Sequence, residues 1–179
     1  MTGCIKWDKM GLHSRYVEKS GEKGVFLWKT SPFFGSMFIG EYTYKIDEKK
    51  RLAIPSKFRD ELKKKAVITR GLDRCLFLYS MEEWEKIAEK ISQLPFGQHD
   101  SRGFSRIMLS GAMEVEFDSA GRILIPDYLK EYASLKKEVV IAGLYNRIEV
   151  WDKETWEDYK RRTEEELGNI AERLKEFGV

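Results

Sequence analysis

Apolar and polar residues alternate through Tyr42, Tyr44 and Ile46, stop at 47–50, and resume the same period at Leu52 and Ile54. The pattern recurs later: Met113, Val115 and Phe117, a polar break, then Ile123 and Ile125. Period two held on both sides of a short break predicts strand, tight turn, strand, twice over. The spacing then becomes helical, through Phe58 and Leu62 after Pro55, and through Leu129 and Tyr132 after Pro126. Each proline suits a first helical position, where a missing N–H costs nothing. Further strands are predicted at 66–69, 75–79, 138–141 and 147–151. Ser80 and Glu83 have capping-box spacing ahead of a helix whose apolar side is Trp84, Ile87, Ile91 and Leu94. Asp152 is expected to cap an equivalent helix carrying Trp156, Tyr159, Leu167, Ile170 and Leu174, with Gly168 interrupting it. Residues 94–97 read as a linker, followed by a helical turn or two through Phe104, Ile107 and Met108.

These elements come in two copies. Residues 47–55 align with 118–126 at a constant offset of 71, and Gly40 falls on Gly111 at the same offset. One inserted residue then makes the offset 72, matching Gly71-Leu72 to Gly143-Leu144 and Trp84-Glu85 to Trp156-Glu157. A one-residue slip would turn every strand side chain to the opposite face, so shared register argues for shared structure. Each copy offers four short strands, too few to close a barrel. The economical solution is an α+β fold in which the copies, 37–95 and 109–179, combine into one pseudo-symmetric β-barrel domain with flanking helices. Two independent domains would each bury too little surface.

Composition narrows the function classes. The chain has 179 residues, 42% hydrophobic and 35% charged, a globular balance. It has no apolar run near the roughly 18–20 residues of a membrane span and no signal-peptide pattern, which points to a cytoplasmic location. Two cysteines and two histidines leave almost nothing for a disulfide framework, a metal site or a His-based triad. No Gly-rich phosphate loop or nucleophile elbow is present. An enzyme, a cofactor and a small-molecule substrate are therefore not expected. Arg70, Asp73 and Arg74 read as a hairpin salt bridge rather than a pocket. The five tryptophans read as core or interface rather than stacking platforms, and acid-rich 163–176 as a solvated face or subunit contact. The net charge of +2 is unevenly spread: residues 1–36 hold six Lys/Arg against three Asp/Glu, leaving the remainder at −1. Any grip on a polyanion must come from a local patch.

That patch is offered by the doubled string Asp-x-x-x-Arg-x-x-Ile-Pro. Strand parity turns Arg51 and Arg122 away from the apolar positions beside them, toward solvent. Arg reads phosphate or a guanine edge with two parallel hydrogen bonds. Asp47 and Asp118, four positions earlier, can cap the turn or orient the guanidinium. One such pair alone would be an ordinary surface salt bridge.

The doubled motif and its flanking strings resemble the MraZ family of AbrB-like swapped-hairpin barrels, from Met37 onward. The strings are Phe-Ile-Gly-Glu-Tyr (38–42), Thr-Arg-Gly-Leu-Asp (69–73), Leu-Ser-Gly-Ala (109–112) and Asn-Arg-Ile-Glu-Val-Trp (146–151). The resemblance implies a transcriptional regulator that binds double-stranded DNA. Its sites would be short direct repeats upstream of its own gene in the division and cell-wall cluster, bound as a ring-shaped homo-oligomer at the nucleoid. Carried over, the DNA-binding residues are Asp47, Lys49, Lys50 and Arg51, with Asp118 and Arg122. The family's usual glycine before the first Arg is Lys50 here, whereas Gly121 keeps it in the second copy. Lys50 is thus expected to strain its turn or change the turn's type. The run of Lys49, Lys50 and Arg51 is expected to make copy one dominate DNA contact. The alternative is an oligomeric protein-interaction ring with little DNA binding. Residues 1–36 have no counterpart in the duplication or the resemblance. They are expected to be a misassigned start or a disordered basic arm, with an extra folded element as the third reading.

Overall fold

The computed structural model describes residues 37–178; the expectations for 1–36 lie outside them. Copy one contributes β1 (Phe38–Lys45), β2 (Arg51–Ala53), α1 (Ser56–Leu62), β3 (Lys65–Arg70), β4 (Leu76–Ser80) and α2 (Met81–Ser92). After α3 (His99–Ser110), copy two repeats the order with β5 (Met113–Glu116), β6 (Arg122–Leu124), α4 (Asp127–Tyr132), β7 (Glu138–Tyr145), β8 (Arg147–Asp152) and α5 (Lys153–Leu174). The element order is the one that hydrophobic periodicity predicts.

Three local details differ. Pro55 and Pro126 sit one residue before their helices, in extended backbone, so the helices begin at Ser56 and Asp127. Gly168 does not interrupt α5, which runs unbroken for 22 residues. At α2, Ser80 Oγ accepts from Glu83 N at 3.3 Å, but the Glu83 carboxylate turns to Lys86 (2.5 Å) instead of closing the capping box. Asp152 caps α5 as expected, accepting from Glu154 N.

The copies are interlocked. The main sheet has six antiparallel strands in the order β1-β7-β8-β4-β3-β5, and β2 pairs with β6 in a separate two-stranded ribbon. β1 therefore lies on β7 of copy two, and β5 on β3 of copy one. A pseudo-twofold axis runs through the centre. Leu52 faces Ile123 in the ribbon, and Phe77 faces Glu149 across β4 and β8. Each of those partners is the other's counterpart in the duplication. The described residues accordingly cluster as one compact unit. The coarse expectation of an α+β molecule with an antiparallel sheet holds.

Packing explains the continuous burial along β4 and β8. Leu76, Leu78, Ile148 and Val150 enter one core with Phe58, Leu129 and the ribbon's Leu52 and Ile123. Phe77, Tyr79 and Trp151 enter a second with Ile91 and Met108, against Trp84, Ile87, Trp156 and Tyr159. Central strands covered on both faces cannot alternate. The first core anchors the ribbon: Leu52 and Ile123 are fully buried, which fixes which way the flanking arginines point.

Candidate nucleic-acid interface

The site is built from the two turns that enter the ribbon. In each, an aspartate folds the chain back on itself. Asp47 O accepts from Lys50 N at 2.9 Å, and Asp118 O accepts from Gly121 N at 2.8 Å. Asp47 Oδ1 accepts from Arg51 N at 2.9 Å; Asp118 Oδ1 accepts from Arg122 N at 3.0 Å and from Ala120 N at 2.9 Å. The second carboxylate oxygen then receives the guanidinium side-on. Arg51 Nε and Nη2 lie 2.8 and 2.7 Å from Asp47 Oδ2; Arg122 Nε and Nη2 each lie 2.8 Å from Asp118 Oδ2. One aspartate thus performs both tasks the sequence allowed, capping the turn and orienting the arginine.

The ribbon brings the two corners together. Antiparallel pairing sets Arg51 opposite Leu124 and Arg122 opposite Ala53. Each guanidinium then lies near the other corner's carboxylate: Arg51 Nη1 is 3.9 Å from Asp118 Oδ2, and Arg122 Nη1 is 3.6 Å from Asp47 Oδ2. Four charges of alternating sign form one cluster, and all four side chains are about a third exposed, at 31–32%. The arginines are therefore less free than strand parity alone implies. Hydrogen bonds from Arg51, the backbone first, hold the Asp47 carboxyl below the usual carboxylate range. The Arg122 guanidinium, then its backbone N–H, takes Asp118 down to about 2.

The lysines of the first turn behave differently from each other. Lys49 is exposed, with no ion pair among the described residues. Lys50 takes the left-handed backbone that its position demands, φ 59° against 73° at Gly121, so the turn type is kept rather than changed. Its Nζ reaches Asp127 at the start of α4, 2.5 Å away. Lys50 is thus ion-paired at the surface, and Lys49 stands beside Glu48 in sequence.

The corresponding space on the second corner is filled from elsewhere. A Cβ at Gly121 would lie 1.8 Å from Nη1 of Arg59 and 2.4 Å from its Cζ, so the α1 arginine lies flat across this turn. Sequence reasoning passed over Arg59. The signal available was the Lys/Gly mismatch at positions 50 and 121 of an otherwise matched turn.

Other singled-out residues serve the scaffold. Arg70, Asp73 and Arg74 form no salt bridge among the described residues, contrary to expectation. Arg70 lies over the rings of Tyr128 and Tyr132, at 5.5 and 5.7 Å, while Asp73 and Arg74 take left-handed positions in the β3–β4 turn, φ 56° and 66°. Glu149, buried, accepts from Trp151 Nε1 and Arg147 Nε, both at 3.0 Å. Cys75 is buried, and desolvation pushes its thiol far above the ordinary range. No group of metal-ligating side chains occurs among the described residues. No helix among them is long and apolar enough to cross a membrane.

Comparison with protein families gives two adjacent matches to the MraZ protein family, whose designation is antitoxin-like, at residues 37–107 and 108–178. Together they span every described residue. The chain belongs to the MraZ family. The boundary between the matches falls inside α3, so this MraZ chain carries the family unit twice, and each family unit supplies one Asp–Arg corner of the ribbon.

Proposed function

We propose that this MraZ chain is a sequence-specific regulator of transcription that binds double-stranded DNA through the β2–β6 ribbon. Its sites are short direct repeats upstream of its own gene in the division and cell-wall cluster, and it acts at the nucleoid as a ring of identical subunits. Asp47, Lys49, Lys50, Arg51, Asp118 and Arg122 form the binding face, and the strands close into the swapped-hairpin barrel of the AbrB type. The observation that carries this reading is the cluster itself. Two guanidiniums are pre-oriented on the ribbon, each donating through Nε and Nη2 to one carboxylate oxygen, side by side and partly exposed. Ordering long side chains before binding removes part of the entropic cost of recognition. Avidity supplies the rest, since several ribbons engaging successive repeats raise affinity by ~10²–10⁴ over one.

A footprint of the protein on the region upstream of its own gene tests the proposal, together with affinity measured against salt. Expected are protected direct repeats about 10–10.5 bp apart or a multiple of that. Log K should fall by about 0.9 per neutralised phosphate for each unit of log salt. No protection and a flat salt response would overturn it.

One observation favours the second reading, an oligomeric protein-interaction ring with little DNA binding. Each arginine already has a carboxylate at 2.7–2.8 Å, so the four-residue cluster is close to neutral. A flat salt response would select that reading.

A further inference from the structure

The two corners are near copies down to their ties to the core. Lys50 O accepts from Ile125 N at 3.0 Å, and Gly121 O accepts from Ile54 N at 3.1 Å. They differ in where the cation beside the turn comes from. On the first corner it is the turn's own Lys50, neutralised by Asp127. On the second, the turn has no side chain at 121, and the Arg59 guanidinium fills the volume where one would begin.

Arg59 also differs from the other cations of this face in its partners. Arg51, Arg122 and Lys50 each hold a carboxylate. Arg59 makes no ion pair among the described residues, and its buried Nε meets no hydrogen-bond acceptor there. A guanidinium set against the Gly121 turn, whose next residue is Arg122, and lacking a counter-charge among the described residues suits a phosphate oxygen.

We infer that Arg59 is a DNA-backbone contact of the second corner, standing in for the side chain that Gly121 lacks. The inference rests on the DNA-binding reading above and adds to it a contact outside the doubled motif. Such a contact reads no bases. Its loss weakens binding to every sequence alike and lowers the salt slope.

The test measures affinity against salt for the full chain on two duplexes of equal length, the footprinted one and a shuffled one. Arg59→Gln is expected to weaken both by the same factor and to lower the slope by about 0.9 per engaged chain. Arg59→Gln with Gly121→Lys is expected to restore the slope, because the added lysine places a cation at the same spot; Lys50 shows that lysine accepts this backbone. Melting temperatures of all variants separate a folding defect from a lost contact. An unchanged slope in Arg59→Gln overturns the inference while leaving the DNA reading intact. So does a slope loss that Gly121→Lys fails to rescue in a variant melting like the parent. If the parent itself binds neither duplex with a salt-dependent affinity, the DNA reading falls, and the inference with it.

Discussion

At the scale of the residue, the cluster of Asp47, Arg51, Asp118 and Arg122 behaves as one unit. Removing Arg51 leaves Asp47 without its fork partner, and Arg122 Nη1 is only 3.6 Å from that carboxylate. The orphaned aspartate then draws Arg122 away from DNA. Arg51→Ala and Arg122→Ala are therefore expected to cost similar amounts of affinity, and the double variant less than the sum. A binding double-mutant cycle should give an interaction energy on the order of 0.5–3 kcal/mol, as for groups sharing one network. Strict additivity would show that the corners act separately. The aspartates also fix a pH response. Both carboxyl pKa values are lower in the folded chain than their ordinary 3.8, Asp118 at about 2. Their contribution to stability is complete above about pH 4 and fades as pH falls toward 2. Denaturant midpoints from pH 5 to 8 should not change on account of these groups. An Asp118→Asn variant should narrow its gap to the parent only below pH 4.

At the scale of the element, the strands were legible because alternation at 42–46, 52–54, 113–117 and 123–125 meets one core on one face. The order of elements followed from the duplication. What could not be read was long-range or lateral. The two arginines share a cluster only because β2 pairs with β6, and nothing local in either turn reveals the partner. Arg59 lay hidden for the same reason: its role depends on α1 lying beside the turn of the other copy. Gly168 was misread because glycine weakens a helix without necessarily ending one. It sits in the exposed part of α5, where an added Cβ meets nothing within 4 Å. Gly168→Ala is accordingly expected to stabilise the chain by roughly 0.5–1 kcal/mol, read as a raised melting temperature. A lowered one would mean that this stretch of α5 needs its glycine.

At the scale of the whole molecule, the copies are not interchangeable, although each supplies what the other lacks: β7 for β1, β3 for β5, and the opposite half of the ribbon. A copy expressed alone must find those partners in a second copy of itself. Residues 108–178 can do so. Their own Gly121 turn would meet α4, where the equivalent of Arg59 is Lys130, and glycine leaves room. Residues 37–107 are hindered. Self-pairing would set Arg59 against Lys50 rather than Gly121, so the guanidinium would have to turn aside from a Cβ and a second cation would repel it. The Lys/Gly mismatch thus favours pairing of unlike copies within one chain. Sedimentation should find 108–178 as a folded dimer and 37–107 as unfolded or aggregated chain. Lys50→Gly should recover a dimer of 37–107, and Lys50→Asn should not, since asparagine accepts the left-handed backbone but keeps a side chain in the way. A stable dimer of unaltered 37–107 would show that the mismatch has no part in choosing the partner.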